Sequence, residues 1–135
     1  MNSIGQSLEM LYPVLMTIAA LLGGTSVAAG AFAAHALSER LSDRSLAIFE
    51  TAARYQMYHA LALLLVTSLA LRGEPQPLLT TAAFAFLVGV ALFSGSLYAL
   101  SLSGVKWLGA IAPLGGLAFI IGWGCLAVAA WNWRS

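Results

Sequence analysis

Charged residues are scarce in this sequence. Lys, Arg, Asp and Glu make up 8% of the 135 residues, whereas 61% of the residues are hydrophobic. With a mean hydropathy of +0.90, the chain has too little polar surface to cover a soluble globule, so lipid must cover the rest. The sequence also lacks any long basic run, which argues against a nucleic-acid partner.

Cysteine and the usual catalytic motifs are nearly absent as well. The single cysteine, Cys125, excludes an intramolecular disulfide, and its position inside an apolar run indicates a small packing residue. No serine lies in a GxSxG context, and no Asp lies deep in an apolar run to orient a histidine. The sequence therefore predicts neither a catalytic residue nor a cofactor.

Long apolar runs are plentiful. A helix needs about 20 mostly apolar residues to cross the hydrocarbon core of a bilayer. Four runs fit, at about residues 12–34, 56–71, 78–102 and 107–131. The predicted fold is an all-α membrane protein, a compact four-helix transmembrane bundle in which residues 1–135 form a single integral membrane domain. Pro13 is expected near the start of the first span, and Pro113 in the second turn of the fourth.

A polar insert, residues 38–55, separates the first two spans. No helix breaker occurs over residues 42–72, so the insert and the second span are predicted to form one helix of roughly 30 residues. The insert is amphipathic. Its apolar stripe is Leu46, Phe49 and Ala53, and its polar stripe is Asp43, Glu50 and Arg54.

The basic residues are distributed unevenly between the two ends of the predicted spans. Those at the insert end are Arg40, Arg44, Arg54 and Lys106, and those at the other end are Arg72 and Arg134. The positive-inside rule then places the insert in the cytoplasm and both termini outside.

Small residues recur at helical spacing in three spans. Helices in lipid associate through close packing of small residues, so these stripes are predicted to be interhelical contacts. They are Ala20, Gly24 and Ala28 in the first span, Ala91, Gly95, Ala99 and Ser103 in the third, and Gly115, Ala118 and Gly122 in the fourth.

Polar side chains concentrate near the leaflet that holds the insert, where four predicted helix ends meet. This candidate polar layer consists of His35, Glu50, Arg54, Tyr55, Gln56, His59, Ser94, Ser96 and Tyr98. The charged members are interpreted mainly as a solvated face at the membrane surface. His59 is interpreted as a neutral side chain that hydrogen-bonds between helices.

Two functional interpretations of the layer stay open beside the structural one. The first is a metal site built from His35, His59 and Glu50, because imidazole and carboxylate ligands suit zinc or iron. The second is a proton relay or solute site that uses His59, Gln56, Tyr98 and Ser96.

Four ordered motifs carry a family resemblance: GAFAAHAL, FETAARYQMYHALALL, FSGSLYAL and APLGGLAFIIGW. In this order and spacing the chain resembles the YgdD-like family of small bacterial inner-membrane proteins of unknown function, which has a eukaryotic branch of small transmembrane proteins. The resemblance implies a four-span helical protein and supplies no activity, substrate or cofactor. Ala33 and Ser38 stand where the family pattern suggests Gly and Lys.

Three functions are therefore considered. The first is a non-enzymatic accessory protein that binds a membrane lipid, a membrane-protein partner or a second copy of itself. The second is an oligomeric transporter or channel for a proton or small solute that uses the layer around His59. The third is a membrane metal-binding protein that uses His35 and His59. The expected location is the bacterial inner (plasma) membrane, on the resemblance alone.

Overall fold

The computed structural model describes residues 3–73 and 76–133, and its secondary structure over this part of the chain is helical throughout. The elements are α1 (Ser3–Phe32) with a π-helical turn (Ala33–Leu37), α2 (Asp43–Arg72), α3 (Pro77–Gly89), a second π-helical turn (Val90–Ser94), α4 (Gly95–Ser103), a 3₁₀ turn (Lys106–Ala110) and α5 (Ala112–Asn132). The predicted all-α class is confirmed. Organisation of residues 1–135 as a single integral domain stays a prediction, and Arg134 lies outside the described residues.

The first helix begins well before the predicted span. α1 starts at Ser3 and contains Pro13 in its interior, so the expected start near residue 12 was wrong. Leu8 and Leu11 of the added turns pack against the hydrophobic core. This burial stabilises a helical segment that hydropathy alone does not mark as a span.

The insert and the second span form one continuous helix, as predicted. The Ser42 hydroxyl caps α2 by accepting a hydrogen bond from the Ser45 N–H at 3.2 Å. Asp43 in the first turn and Arg72 in the last complement the helix dipole. In the insert the apolar stripe packs inward and the polar stripe is exposed.

Three helical segments are long and apolar enough to cross a membrane: Ser3–Leu37, Pro77–Ser103 and Lys106–Asn132. Among the described helices α2 is less apolar, because Gln56 and His59 interrupt its hydrophobic run. Both of these side chains are buried by neighbouring helices. These two polar side chains in the middle of α2 are therefore turned into the protein and not toward lipid.

α2 is the central helix of the bundle. α1 packs along one side of it, α3 and α4 pack along the other, and α5 packs on α3. The main core cluster joins side chains from four helices, with Leu15 from α1, Leu63 and Val66 from α2, Phe86 from α3 and Phe119 from α5. This arrangement brings the polar residues in the middle of α2 within reach of every other helix.

The fourth span starts with a break. A 3₁₀ turn precedes α5, which begins at Ala112. Pro113 is therefore in the first turn of α5 and not in a second turn as predicted. Its missing N–H costs little at this position, since the first helical N–H groups have no partner within the helix.

Only one of the three predicted small-residue stripes is an internal contact. In α5, Gly115 and Gly122 are buried and Ala118 is half-buried, as expected. All members of the other two stripes are exposed, namely Ala20, Gly24, Ala28, Ala91, Gly95, Ala99 and Ser103. The buried face of α1 instead carries Tyr12, Leu15, Ala19 and Ser26.

A π-helical turn, Val90–Ser94, lies in the middle of the third span. A π-helical turn holds an extra residue, so it rotates everything after it relative to a regular α-helix. From the end of this turn onward, Ser94, Ser96 and Ser101 are buried, whereas Gly95 is exposed.

Candidate functional site

Two adjacent backbone carbonyls of α2 accept hydroxyl hydrogen bonds from neighbouring segments. The Ser26 hydroxyl of α1 donates to the Ala53 carbonyl at 2.6 Å, and the Ser94 hydroxyl of the second π-helical turn donates to the Ala52 carbonyl at 2.8 Å. A carbonyl oxygen has two lone pairs, so it can accept a second bond beside its helical one. These two serines therefore hold α1 and the second π-helical turn against α2 at the same position along its axis.

One helical turn further along, Gln56 connects three helices through a single amide. Its Nε2 donates to the Leu22 carbonyl at 2.9 Å and to the Thr25 hydroxyl at 2.8 Å, both on α1. Its Oε1 accepts a hydrogen bond from the Tyr98 hydroxyl of α4 at 2.7 Å. Both amide hydrogens and the amide oxygen are thereby used within the protein.

His59 is buried and has a partner at each ring nitrogen. Nδ1 lies 2.8 Å from the Tyr55 carbonyl, which can only accept, so Nδ1 carries the hydrogen. The indole N–H of Trp123 in α5 lies 3.2 Å from Nε2, and an indole N–H can only donate, so Nε2 is unprotonated. The ring also stacks on Phe119, with centroids 3.4 Å apart and planes inclined by 6°. His59 is therefore the neutral Nδ1–H tautomer.

This assignment predicts the nuclear magnetic resonance spectrum of the histidines. In protein labelled on the histidine ring nitrogens, we expect His59 at neutral pH to show a protonated Nδ1 and an unprotonated Nε2. Trp123→Phe keeps the Nδ1–H tautomer but shifts the Nε2 resonance, because only the indole donor is lost. His35 provides the internal comparison. A spectrum with the hydrogen on Nε2 of His59 would contradict the Trp123 hydrogen bond.

The structure brings together part of the predicted polar layer. Gln56, His59, Ser94 and Tyr98 form bonds between helices, and Tyr55 contributes its carbonyl. Ser96 is buried, but its hydroxyl donates to the Phe93 carbonyl in the same helical segment, at 3.0 Å. Its hydroxyl thus plays no part in joining the helices.

The other three predicted residues lie outside this network. His35 is exposed in the first π-helical turn. Glu50 and Arg54 are exposed and line one shallow groove, without forming an ion pair with each other. Over residues 3–73 and 76–133, no group of three His, Cys, Asp or Glu side chains is placed to hold a metal ion. The arrangement thus gives no support to a site built from His35, His59 and Glu50.

Sequence reasoning missed three contributors to the network: Ser26 and Thr25 on α1, and Trp123 on α5. Trp123 carried a usable signal. Tryptophan in membrane helices favours the two interfaces, whereas Trp123 lies in the middle of an apolar run, where a buried N–H needs an acceptor. Ser26 and Thr25 carried no such signal, because a hydroxyl can bond to a carbonyl of its own helix.

Residues 29–116 match the sequence profile of the family DUF423, described as a protein of unknown function. The chain belongs to the DUF423 family. The expectation of a family of unknown function is thereby confirmed, whereas the resemblance to the YgdD-like family and its four spans stay predictions. The match to DUF423 includes all nine predicted residues of the polar layer, whereas Ser26 and Trp123 fall outside the matched range.

Several curated relatives of this DUF423 member are similar over most of their length. It is 46% identical to the UPF0382 membrane protein YwdK of Bacillus subtilis (strain 168) over 117 residues, which are 87% of this chain and 93% of the relative. It is 43% identical to a UPF0382 membrane protein of Staphylococcus epidermidis over 116 residues, 86% of this chain and 93% of the relative. A UPF0382 membrane protein of Haemophilus influenzae is 42% identical over 120 residues, 89% of this chain and 95% of the relative. No solved structure matches.

These relatives are named membrane proteins, and the three long apolar helices of the DUF423 chain agree with that description. The chain is a small helical membrane protein.

Proposed function

We propose that this chain is a non-enzymatic, four-span protein of the bacterial inner membrane that acts by binding a membrane lipid or a membrane-protein partner at its surface. One observation carries the proposal: over the described residues, every buried side-chain nitrogen or oxygen has a hydrogen-bond partner within the protein. The polar layer therefore has no unused buried group for a substrate. A lipid or a protein partner would therefore bind at the surface of the protein.

The position of α2 supports a fourth span. Its 30 residues give a length of about 45 Å, which exceeds the hydrocarbon core. α2 packs between α1 on one side and α3 and α4 on the other. Gln56 is hydrogen-bonded to α1 and α4, and His59 to Trp123 of α5. Burial of polar groups against other helices is how a span of low hydropathy is tolerated.

Charge supports an orientation with the insert in the cytoplasm and the termini outside. Arg40, Arg44 and Lys106 lie at the end of the bundle where α2 begins and α4 ends, whereas Arg72 lies at the opposite end. Cytoplasmic loops carry the excess of Lys and Arg in most membrane proteins.

The geometry favours binding over proton transport. To accept a proton, Nε2 of His59 would have to give up the hydrogen bond from Trp123. The amide of Gln56 is likewise fully used. These side chains act as interhelical hydrogen bonds, each of which contributes about 0.6 to 2 kcal/mol in a membrane.

Native mass spectrometry of the protein released from nanodiscs of mixed phospholipids tests the proposal. We expect a discrete bound lipid or protein mass above the broad distribution of annular lipid, because a specific partner dissociates more slowly. In liposomes that contain the protein, we expect the same proton permeability as in protein-free vesicles. Proton flux above that level, together with no retained mass, would overturn the proposal in favour of transport.

A further inference from the structure

A cavity with two cations opens at the insert end of the molecule, between the start of α2 and the connection from α4 to α5. It measures about 430 Å³, within the usual range for ligand sites. This basic notch is lined by Arg44, Ser45, Ile48, Leu100, Gly104, Lys106 and Gly109. No acidic side chain lines it, and within the described residues neither Arg44 nor Lys106 forms an ion pair.

The backbone at Gly104 directs the chain into this notch. Gly104 has a φ of 72° and ends α4 as a left-handed cap, with its N–H bonded to the Leu100 carbonyl at 2.8 Å. Glycine adopts this conformation without the steric cost that a side chain would add. The turn places Lys106 opposite the first turn of α2, where Arg44 lies.

A second cavity of about 550 Å³ lies deeper, between α2 and α5. This aromatic groove is lined by Tyr55, Tyr58, His59, Phe93, Gly116, Phe119, Ile120 and Trp123. Half of Tyr58 and 45% of Trp123 are exposed, so the groove opens on the side of the bundle that faces lipid. α2 and α5 are not among the described helix pairs whose backbones pack closely, and aromatic side chains fill the space between them.

The basic notch and the aromatic groove lie one after the other along α2, and the wall opposite α2 passes from the 3₁₀ turn at the notch to α5 at the groove. Arg44, Ile48 and Tyr55 are spaced by four and seven residues on α2, which places them on one face of the helix. On the other wall, Gly109 lines the notch and Gly116 lines the groove. Eleven residues of helix separate Arg44 from Tyr55, a distance of about 16 Å. The charges thus lie at headgroup depth and the aromatic residues at the depth of acyl chains.

We propose that the basic notch and the aromatic groove form one binding site for an anionic phospholipid. The headgroup phosphate is held between Arg44 and Lys106, and an acyl chain extends along Tyr58, Ile120 and Trp123. Basic pockets at the cytoplasmic ends of membrane helices bind anionic headgroups in this way. Two cations without a carboxylate disfavour a zwitterionic headgroup, whose ammonium group would be repelled. The inference rests on the proposed function and identifies the lipid class and its site.

The notch is tested by native mass spectrometry after reconstitution in nanodiscs with equal amounts of phosphatidylglycerol and phosphatidylcholine. We expect the wild-type protein to retain phosphatidylglycerol preferentially. In the double variant R44Q/K106Q the ratio of retained phosphatidylglycerol to phosphatidylcholine should fall roughly tenfold, because each cation near the headgroups favours anionic lipid several-fold. The matched control R40Q/R54Q removes the same charge from exposed residues outside the notch and should retain the wild-type preference.

The groove is tested by a glycine pair on α5. A Cβ atom built at Gly116 or at Gly124 meets no heavy atom within 4 Å, so a side chain can start at either position without a clash at its first atom. Gly116→Leu fills the groove and should weaken retention of diacyl phosphatidylglycerol several-fold. Gly124→Leu lies outside the groove and should leave retention unchanged.

Titration with inorganic phosphate and with deacylated glycerophosphoglycerol distinguishes a lipid from a soluble anion. We expect both to bind more weakly than the diacyl lipid and to be insensitive to Gly116→Leu. If inorganic phosphate displaces the lipid at equal concentration, the site is for a soluble phosphate and the lipid assignment is wrong.

The remaining outcomes separate this inference from the proposed function. Equal loss of lipid in R44Q/K106Q and R40Q/R54Q, with wild-type retention intact, would overturn the notch and leave surface binding standing. A wild-type protein that retains neither lipid nor a protein partner would overturn both. Arg40, Arg44, Arg54 and Lys106 are all exposed, so both double variants should elute as the wild-type protein does in size-exclusion chromatography.

Discussion

Gly115→Ala is expected to lower the stability of the bundle more than any other addition of one methyl group in α5. A Cβ atom at Gly115 would lie 2.7 Å from the Cβ and 2.8 Å from the Cα of Phe93, and closer still to its backbone nitrogen. Backbone cannot rotate away as a side chain can, so α5 must move off the second π-helical turn. Overpacking of this kind costs about 1 to 3 kcal/mol, and more where the backbone is involved. The unfolding midpoint in detergent measures the loss.

The neighbouring glycine is the control. Nothing lies within 4 Å of a Cβ atom at Gly116, and alanine in a helix interior is favoured over glycine by roughly 0.5 to 1 kcal/mol. We therefore expect Gly116→Ala to leave the midpoint unchanged or raise it. If Gly115→Ala and Gly116→Ala unfold at the same midpoint, the close approach of α5 to Phe93 does not exist in the membrane.

The helices could be predicted from the sequence because the signals for them are local. Long apolar runs and the absence of breakers between residues 42 and 72 depend on neighbours in the chain. The helices that they predict are present, and three of the helical segments are long and apolar enough to cross a membrane. The start of α1 was missed because the added turns are stabilised by packing of Leu8 and Leu11 and not by hydropathy. The contact face of the third span was missed because its buried positions after Val90 carry serines, Ser94, Ser96 and Ser101, whereas its stripe of small residues is exposed.

The candidate site divides in the same way. A polar residue in the middle of an apolar run has only the protein interior in which to find partners, so Gln56, His59 and Tyr98 could be identified. Glu50 and Arg54 lie near a helix end, where water can solvate their charges. Sequence position alone does not distinguish such solvated charges from charges that form a binding site. The basic notch was not anticipated, because its two cations are more than 60 positions apart and meet only through the turn at Gly104.

Loss of the Gln56 side-chain amide is expected to weaken the bundle at its centre. Gln56→Leu keeps the approximate volume but removes three hydrogen bonds, two to α1 and one from Tyr98. At about 0.6 to 2 kcal/mol for each of the three bonds in a membrane protein, we expect a loss of roughly 2 to 6 kcal/mol. Steric trapping in bicelles, which measures the free energy of unfolding directly, is the suitable method.

A double-mutant cycle with Tyr98→Phe isolates one of these bonds. Because the Tyr98 hydroxyl donates to the Gln56 oxygen at 2.7 Å, the combined loss in Gln56→Leu/Tyr98→Phe should be smaller than the sum of the single losses, by about 1 kcal/mol. Thr81→Val is the control partner, since the exposed Thr81 hydroxyl bonds to the Pro77 carbonyl of its own helix and should add independently to Gln56→Leu. Strict additivity with Tyr98→Phe would mean that the hydrogen bond from Tyr98 to Gln56 does not form in the membrane, and that α2 and α4 are held together by packing.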